Sequence, residues 1–191
     1  MAAGFPGAVQ AKDDETVLFS WCEWPSREVY QSGLARMMAD PRFEEMGEMP
    51  FDGQRMIFAG FESEIDDGNG ARPGYVDGFV IPVAPDRKQA YFDMARQAAA
   101  VFRDHGATRV VEAWGDDIRA GKVTDFFRAA HAKDGENVVF SWVEWPDKGA
   151  RDAGSKKVME DERMKTPPAD MPFDPKRMIF GGFAPILDQD Q

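Results

Sequence analysis

The sequence contains one apolar stretch twice, and this repeat constrains the fold more than any other feature. Residues 15–25 read ETVLFSWCEWP and residues 136–146 read ENVVFSWVEWP, with eight of eleven positions identical at an offset of 121. A second pair follows, MPFDGQRMIFAGF at 49–61 and MPFDPKRMIFGGF at 171–183. Because both pairs keep the same order, the chain is predicted to contain one structural module more than once.

The second copy predicts a β-strand over 136–145 that is covered on both faces. β-Branched and aromatic residues fill most of it, Pro146 ends it, and only Ser141 and Glu144 interrupt the apolar run. The same pattern predicts a strand over 15–24. Alternation assigns the side chains of 136–145 to two faces, with Val138, Phe140, Trp142 and Glu144 on one and Val139, Ser141, Val143 and Trp145 on the other.

Composition and charge argue against several classes of protein. The 191 residues are 43% hydrophobic and 12% aromatic, which is enough for a packed core and unlike a disordered chain. A net charge of -11 argues against nucleic-acid partners and against an anionic membrane surface. No apolar run is long enough to span a membrane, and the start lacks the pattern of a signal peptide. With one cysteine and no internal disulfide, a cytoplasmic location is expected.

From residue 74 onward the patterns follow the order β-α-β-β-α-β. The predicted strands are 75–83, 109–114, 136–145 and 177–187, and the predicted helices begin near Asp86 and Asp147. Short right-handed crossovers then give an α+β, ferredoxin-like module, in which an antiparallel four-stranded sheet carries both helices on one face. Because its strands are apolar on both sides, the second face needs a cover, which favours a dimer or pseudo-dimer.

The sequence before residue 74 matches only the second half of this module. We predict a loose leader over 1–7, a half-module over 8–66, a linker over 67–73 and a complete module over 74–188. No counterpart of the first β-α-β unit precedes the half-module, which indicates truncation during evolution or a misplaced start codon. We expect its strands to pack on the open face of the complete sheet as an incomplete barrel.

Several motifs of the complete module resemble the DUF1428 family. These are YVDGF at 75–79, VVEAW at 110–114, GKVTDF at 121–126, VFSWVEWP at 139–146 and MPFDPKRMIFGGF at 171–183. The resemblance covers 74–188 and implies a dimeric α/β barrel, with two sheets face to face and self-association through the open sheet face. It implies no assigned activity, although related barrels include cofactor-independent monooxygenases and isomerases.

Three acidic residues inside apolar strands are the candidate catalytic residues: Asp77, Glu112 and Glu144. A carboxylate in a covered sheet is costly unless it is paired, and burial raises its pKa. One of them could act as the general base of a cofactor-independent monooxygenase or isomerase. The alternative is a structural role in which they pair with Arg109 or Arg177. That interpretation suits Glu144, because its counterpart Glu23 lies in a half-module where a catalytic residue would have little reason to persist.

The candidate ligand-binding residues are Tyr75, Phe79, Trp114, Trp142 and Arg177, which could line a cavity for a small apolar or aromatic molecule. Convergence of the carboxylates on one enclosed pocket would favour an enzyme. Scattered carboxylates would favour a small-ligand-binding or structural protein without catalysis.

Histidine and cysteine give no sign of a metal or cofactor. His105 and His131 are far apart, and neither CxxC nor HExxH occurs. His105 is expected to pack or cap at a helix end, and His131 to lie on the surface. Cys22 occupies the position of Val143 in the repeat, so it is expected to be a small buried hydrophobic residue.

Overall fold

The computed structural model describes residues 4–42, 47, 49–68, 72–166 and 168–189. The helices are α1 (Phe5–Ala8), α2 (Arg27–Met38), α3 (Lys88–Asp104), α4 (Phe126–Ala129), α5 (Lys148–Glu160) and α6 (Glu162–Lys165). The strands are β1 (Ala59–Gly68), β2 (Tyr75–Val83), β3 (Arg109–Ile118), β4 (Asn137–Trp145) and β5 (Ile179–Phe183). Within these ranges, no helix is long and apolar enough to cross a membrane.

One antiparallel sheet in the order β1-β3-β4-β2-β5 organises the fold. Strands β2 to β5, with α3 after β2 and α5 after β4, have the predicted β-α-β-β-α-β order, and the α+β, ferredoxin-like fold class is confirmed. The fifth strand, β1, comes from the half-module. It pairs with the edge of β3 from Ala59↔Ile118 to Gly68↔Arg109. The half-module therefore extends the edge of the complete sheet through β1, and the expectation that its strands would pack on the open face is wrong for this strand. The edge of β3 offers unpaired backbone groups, which a sheet face does not.

The two faces of β4 are divided as the alternation predicts. Val138, Phe140 and Trp142 lie on one face, which we call the inner face. Val139 and Trp145 lie on the opposite face, the helix face, where α3 packs through its amphipathic stripe. Burial of each large apolar side chain stabilises the fold by roughly 1.5–3 kcal/mol, so both faces contribute to the core.

Residues 15–24 cover the inner face without forming the predicted strand. None of them belongs to a β-ladder. Phe19 stacks on Phe140 with ring centroids 4.9 Å apart, and Trp21 meets Trp142 at 4.8 Å. In the repeat, Phe19 is the counterpart of Phe140, and Trp21 is the counterpart of Trp142. Each ring therefore contacts its own counterpart, as in a dimer with two-fold symmetry. A strand needs hydrogen-bonded neighbours, and the described residues supply none for this segment.

The half-module repeats one ion pair of the complete module. Arg55 binds Glu15 at 2.6 Å, and the counterpart pair Arg177 and Glu136 lies at 2.8 Å. The same ion pair, between residues 40 and 41 positions apart, is therefore present in both copies.

The docking of the helix after the repeated stretch is also duplicated. The Trp24 ring lies against Gly33 of α2, and the Trp145 ring lies against Gly154 of α5. A side chain at either glycine would meet the indole ring at less than 3 Å. A glycine at this position therefore lets the helix approach the tryptophan in both copies.

Several predicted boundaries differ from the structure. The strand predicted over 109–114 continues to Ile118, and the strand predicted over 177–187 is limited to Ile179–Phe183. The leader predicted over 1–7 contains the helical turn α1, which packs against α4 and β5. The linker predicted over 67–73 begins later, since β1 continues to Gly68, and 69–71 lie outside the described residues. Pro6 at the start of α1 is compatible with a helix because the first turn has unpaired N–H groups in any case.

Candidate functional site

Asp77 lies buried on the helix face and fastens α5 to the sheet. The Trp145 indole Nε1 donates to its carboxylate at 3.0 Å, and the Arg151 guanidinium lies at 2.7 Å. Arg151 belongs to α5, so this pair joins groups 74 positions apart in sequence. The carboxylate in turn raises the pKa of Arg151 above its ordinary value. Because its charge and its hydrogen bonds are satisfied within the protein, Asp77 has the environment of a structural residue.

Glu112 is buried on the same face without a basic partner in the described part of the chain. The Tyr91 hydroxyl donates to its Oε2 at 2.8 Å. Burial raises the pKa of Glu112 from 4.5 to about 7, opposed by hydrogen bonds from Tyr91 and Ser141. Burial and the nearby carboxylate also raise the pKa of Tyr91. Burial therefore brings the pKa of Glu112 close to neutral pH.

Glu144 lies on the inner face, opposite to the other two carboxylates. The Trp142 Nε1 donates to it at 2.9 Å, and the Arg109 guanidinium lies at 3.5 Å. Burial raises its pKa. The predicted pairing of Glu144 with Arg109 is present, at the seam between the half-module and the complete module.

Arg109 joins three segments through its guanidinium. It binds Glu23 at 2.6 Å and Asp66 at 2.7 Å, in addition to Glu144. The guanidinium lowers the pKa of Asp66, and hydrogen bonds to Asp66 and Glu23 raise the pKa of Arg109. Glu23 and Asp66 both belong to the half-module, so this cluster fastens it to the complete sheet. Sequence reasoning missed the role of Asp66, which stood at the edge of the predicted linker.

The candidate carboxylates do not converge on one pocket. Asp77 and Glu112 lie under the helices, whereas Glu144 lies on the inner face beside Trp142. The inner face is occupied by stacked rings, including Phe5, Phe19 and Phe140. The arrangement that would favour an enzyme is therefore not present among these three residues.

The five candidate ligand-binding residues are also divided between the faces. Trp142 is on the inner face, whereas Phe79, Trp114 and Tyr75 pack from the helix side. Arg177 pairs with Glu136, so it is not a partner of Asp77, Glu112 or Glu144 as sequence reasoning had allowed. The structure does not bring these five residues together around one cavity.

A groove of about 400 Å³ lies where the half-module meets the complete module. Its lining consists of Gly53, Gln54, Met56, Gly121, Lys122 and Thr124. None of the candidate ligand-binding residues lines it. Sequence reasoning missed this groove, and the only signal for it was the position of Gly121 and Lys122 in a family motif.

The structure agrees with the expectations for the two histidines and disagrees with the expectation for Cys22. His105 ends α3 and its Nε2 lies 2.8 Å from Asp161, in agreement with a packing or capping role. His131 is exposed, as expected. The expectation for Cys22 is wrong, because the thiol-bearing residue is exposed. Its counterpart Val143 packs with α3, and no comparable helix covers Cys22 in the described part of the chain.

No cluster of three or more potential metal ligands occurs among the described residues.

Replacing Glu112 with glutamine is expected to change the pH dependence of stability. The folded state binds more protons than the unfolded state between pH 4.5 and about 7, so wild-type stability falls as pH rises through that window. A glutamine side chain keeps the hydrogen-bond acceptor for Tyr91 and has no charge. Glu112→Gln should therefore match wild type near pH 4 and exceed it above pH 7 by on the order of 3 kcal/mol.

Urea unfolding at a series of pH values measures this difference. Glu62→Gln, at an exposed position on the same sheet, is the matched control and should not reproduce the trend. Equal stability of Glu112→Gln and wild type at pH 8 would contradict the prediction.

The geometry can be compared with known proteins. The model of the family described as "Protein of unknown function (DUF1428)" matches residues 1–53 and 74–175. "Uncharacterized protein YbaA" of Escherichia coli K12 is 54% identical over 115 residues, which are 60% of this chain and 98% of that protein. YbaA of Shigella flexneri matches with the same identity and coverage.

Among solved structures, an "anthrone oxidase-like protein" aligns with a TM-score of 0.47 and 19% identity, over 70% of this chain and 57% of that one. The family model matches both the complete module and the half-module, and it covers most of the chain. The resemblance found in the sequence motifs is thereby confirmed, and the chain belongs to the DUF1428 family, whose function is unknown.

Proposed function

We propose that this protein is a non-catalytic structural protein that works by association of sheet faces, with the half-module in the place of a second subunit. The contact of Phe19 with Phe140 and of Trp21 with Trp142 carries this proposal. A contact between counterpart residues is what a symmetric dimer of two modules would make. In a chain that contained only the complete module, the same inner face would be free for a second copy.

The partners of the carboxylates support the absence of catalysis. Asp77 and Glu144 each have a cation and an indole N–H within reach, and Glu112 is enclosed beneath α3. A general base needs access to a substrate proton, and none of these groups adjoins the groove at the seam. The cofactor-independent monooxygenase or isomerase remains the alternative function, without a site assembled for it.

Removing residues 1–71 tests the proposal. The remaining chain would expose Phe140 and Trp142, and we expect it to form dimers through the inner face at micromolar concentration. The full chain should not dimerise through this face, because the half-module covers it. Analytical ultracentrifugation of both chains measures the difference. That YbaA spans little more than one module makes such a fragment a reasonable folding unit.

Two matched variants of the fragment locate the interface. Phe140→Arg on the inner face should keep the fragment monomeric, whereas Phe180→Arg, at an exposed position of the neighbouring sheet edge, should not. A fragment that stays monomeric and soluble, with the melting temperature of the full chain, would refute the proposal.

A second candidate function is binding of a small molecule in the groove at the seam. Its volume of about 400 Å³ suits a small ligand, and Gln54, Lys122 and Thr124 bring polar groups to it. A ligand there would bridge the half-module and the complete module, so it should raise the melting temperature. A thermal-shift screen with Lys122→Ala as the control variant tests this candidate, and a compound that stabilises both chains equally would bind elsewhere.

A further inference from the structure

Residues 16–24 repeat the sequence of strand β4 and lack the neighbouring strands that β4 has. In the described part of the chain, their backbone groups make no hydrogen bond to another backbone group. Their counterpart β4 is paired on both edges, with β2 on one side and β3 on the other. Nine consecutive residues therefore lack, in the described part of the chain, the backbone pairing that their counterparts in β4 have on both sides.

The outer side chains of this segment are uncovered as well. Leu18 is 67% exposed, and Cys22 is exposed. Their counterparts in β4, Val139 and Val143, are 0% and 2% exposed. The difference comes from one unit: β2, α3 and β3 flank and cover β4, through contacts such as that of Val143 with Ala99.

We infer that residues 16–24 are an acceptor strand for a β-α-β unit of the kind that residues 75–118 form. This inference rests on the proposed role of the half-module as a second subunit. Because eight of eleven positions in the repeated stretch are identical, the register seen in β4 can be carried over. Val143 lies between Asp77 and Val110, so Cys22 would lie between their equivalents in the added unit. Backbone hydrogen bonds would supply affinity, and the helix would cover Leu18 and Cys22.

The inner face adds a requirement for glycine. Gly78 lies beneath Phe19, and a Cβ there would be 2.6 Å from the ring. By the same symmetry, the added unit needs glycine at the equivalent position, where it would face Phe140. A second copy of this chain does not meet the description, because its own residues 75–118 are already paired within its sheet.

Reactivity of Cys22 tests the inference directly, because it is the single cysteine of the chain. The comparison uses the full chain and a longer chain in which a second copy of residues 74–121 is fused before Met1. The offset of 121 makes Met1 the counterpart of Lys122, so this fusion keeps the spacing of the complete module. We expect a maleimide to label Cys22 rapidly in the full chain and at least 100-fold more slowly in the longer chain.

Controls separate the possible outcomes. Gly78→Leu in the added copy alone should restore rapid labelling, because the new side chain would collide with Phe140. Hydrogen exchange on the natural chain should be fast at residues 16–24 and slow in β4. Equal labelling of both chains, or slow exchange at 16–24 in the natural chain, would overturn the inference.

The occupant is tested in the same experiment. Protection of Cys22 that grows with the concentration of the natural chain would identify a second copy and overturn the assignment to a β-α-β unit. The fragment without residues 1–71 lacks the acceptor strand, so a monomeric fragment would refute the proposed function alone. Unchanged labelling of Cys22 would refute this inference alone.

Discussion

Replacing Arg109 with methionine is expected to lower the free energy of unfolding by about 3 kcal/mol at pH 7, near the lower end of the cost of breaking a buried ion pair. The guanidinium is 12% exposed and holds three carboxylates, of which Glu144 is 3% exposed. Without the cation, Glu144 would remain buried beside Trp142 with no opposite charge. Glu23 and Asp66 are about half exposed, so water would compensate much of their loss.

The stability lost in Arg109→Met should depend on pH, because the carboxylates that Arg109 binds change their charge with pH. Arg109 lowers the folded-state pKa of Asp66. The stabilisation that this pair gives is therefore present above the pKa of Asp66 in the unfolded state, and it is lost as pH falls through the pKa of Asp66 in the folded state. Glu144, whose pKa is raised, becomes neutral at higher pH than Asp66 and then no longer needs a cation. The deficit of Arg109→Met should therefore be largest above pH 7 and shrink toward pH 4.

Urea unfolding at pH 4, 5.5 and 8 measures the deficit. Arg119→Met is the matched control, since Arg119 is 84% exposed and pairs only with Asp117 in the described part of the chain, and it should cost less than about 0.5 kcal/mol. A deficit of Arg109→Met that did not vary with pH would show that lost packing over Trp142, rather than charge, is responsible.

Replacing Phe19 with alanine is expected to cost about 3 kcal/mol, within the range for truncating a phenylalanine in a core. Its ring stacks on Phe140 and Phe183 at 4.9 Å each and meets Phe5 edge-on at 5.5 Å. Truncation would leave a void between the half-module and the inner face, because the chain around it is held by Trp21 and cannot collapse freely. The half-module should therefore loosen before the complete module unfolds.

Leu18→Ala is the control for Phe19→Ala, because Leu18 is the preceding residue and 67% exposed. It should change the free energy of unfolding by less than about 0.5 kcal/mol. Hydrogen exchange of β1 and β4 would show where the stability is lost. If the two variants were equally stable, the ring stack would not be what attaches the half-module.

The sequence predicted those features that short-range patterns specify. Alternation along 136–145 assigned the faces of β4 correctly, because side chains of a strand point to opposite sides in turn. The order of strands and helices in the complete module followed from the same local rules.

Tertiary structure alone decided which groups meet across long separations. The partner of Asp77 is Arg151, 74 positions away, and Arg109 binds Glu23 across 86 positions. Whether three acidic residues form one site or three depends on sheet order and on the face to which each points. These are properties of the assembled sheet, and spacing along the chain does not contain them.

The repeated stretch shows the same division most clearly. Two nearly identical sequences have different structures here, since 137–145 is a strand paired on both edges and 15–24 belongs to no ladder. By itself the sequence determined that both copies are apolar and matched to one another. Only the neighbours in the folded protein decided which copy became a strand and why Cys22 is exposed while Val143 is buried, because hydrogen bonds between strands and burial both require a partner in space.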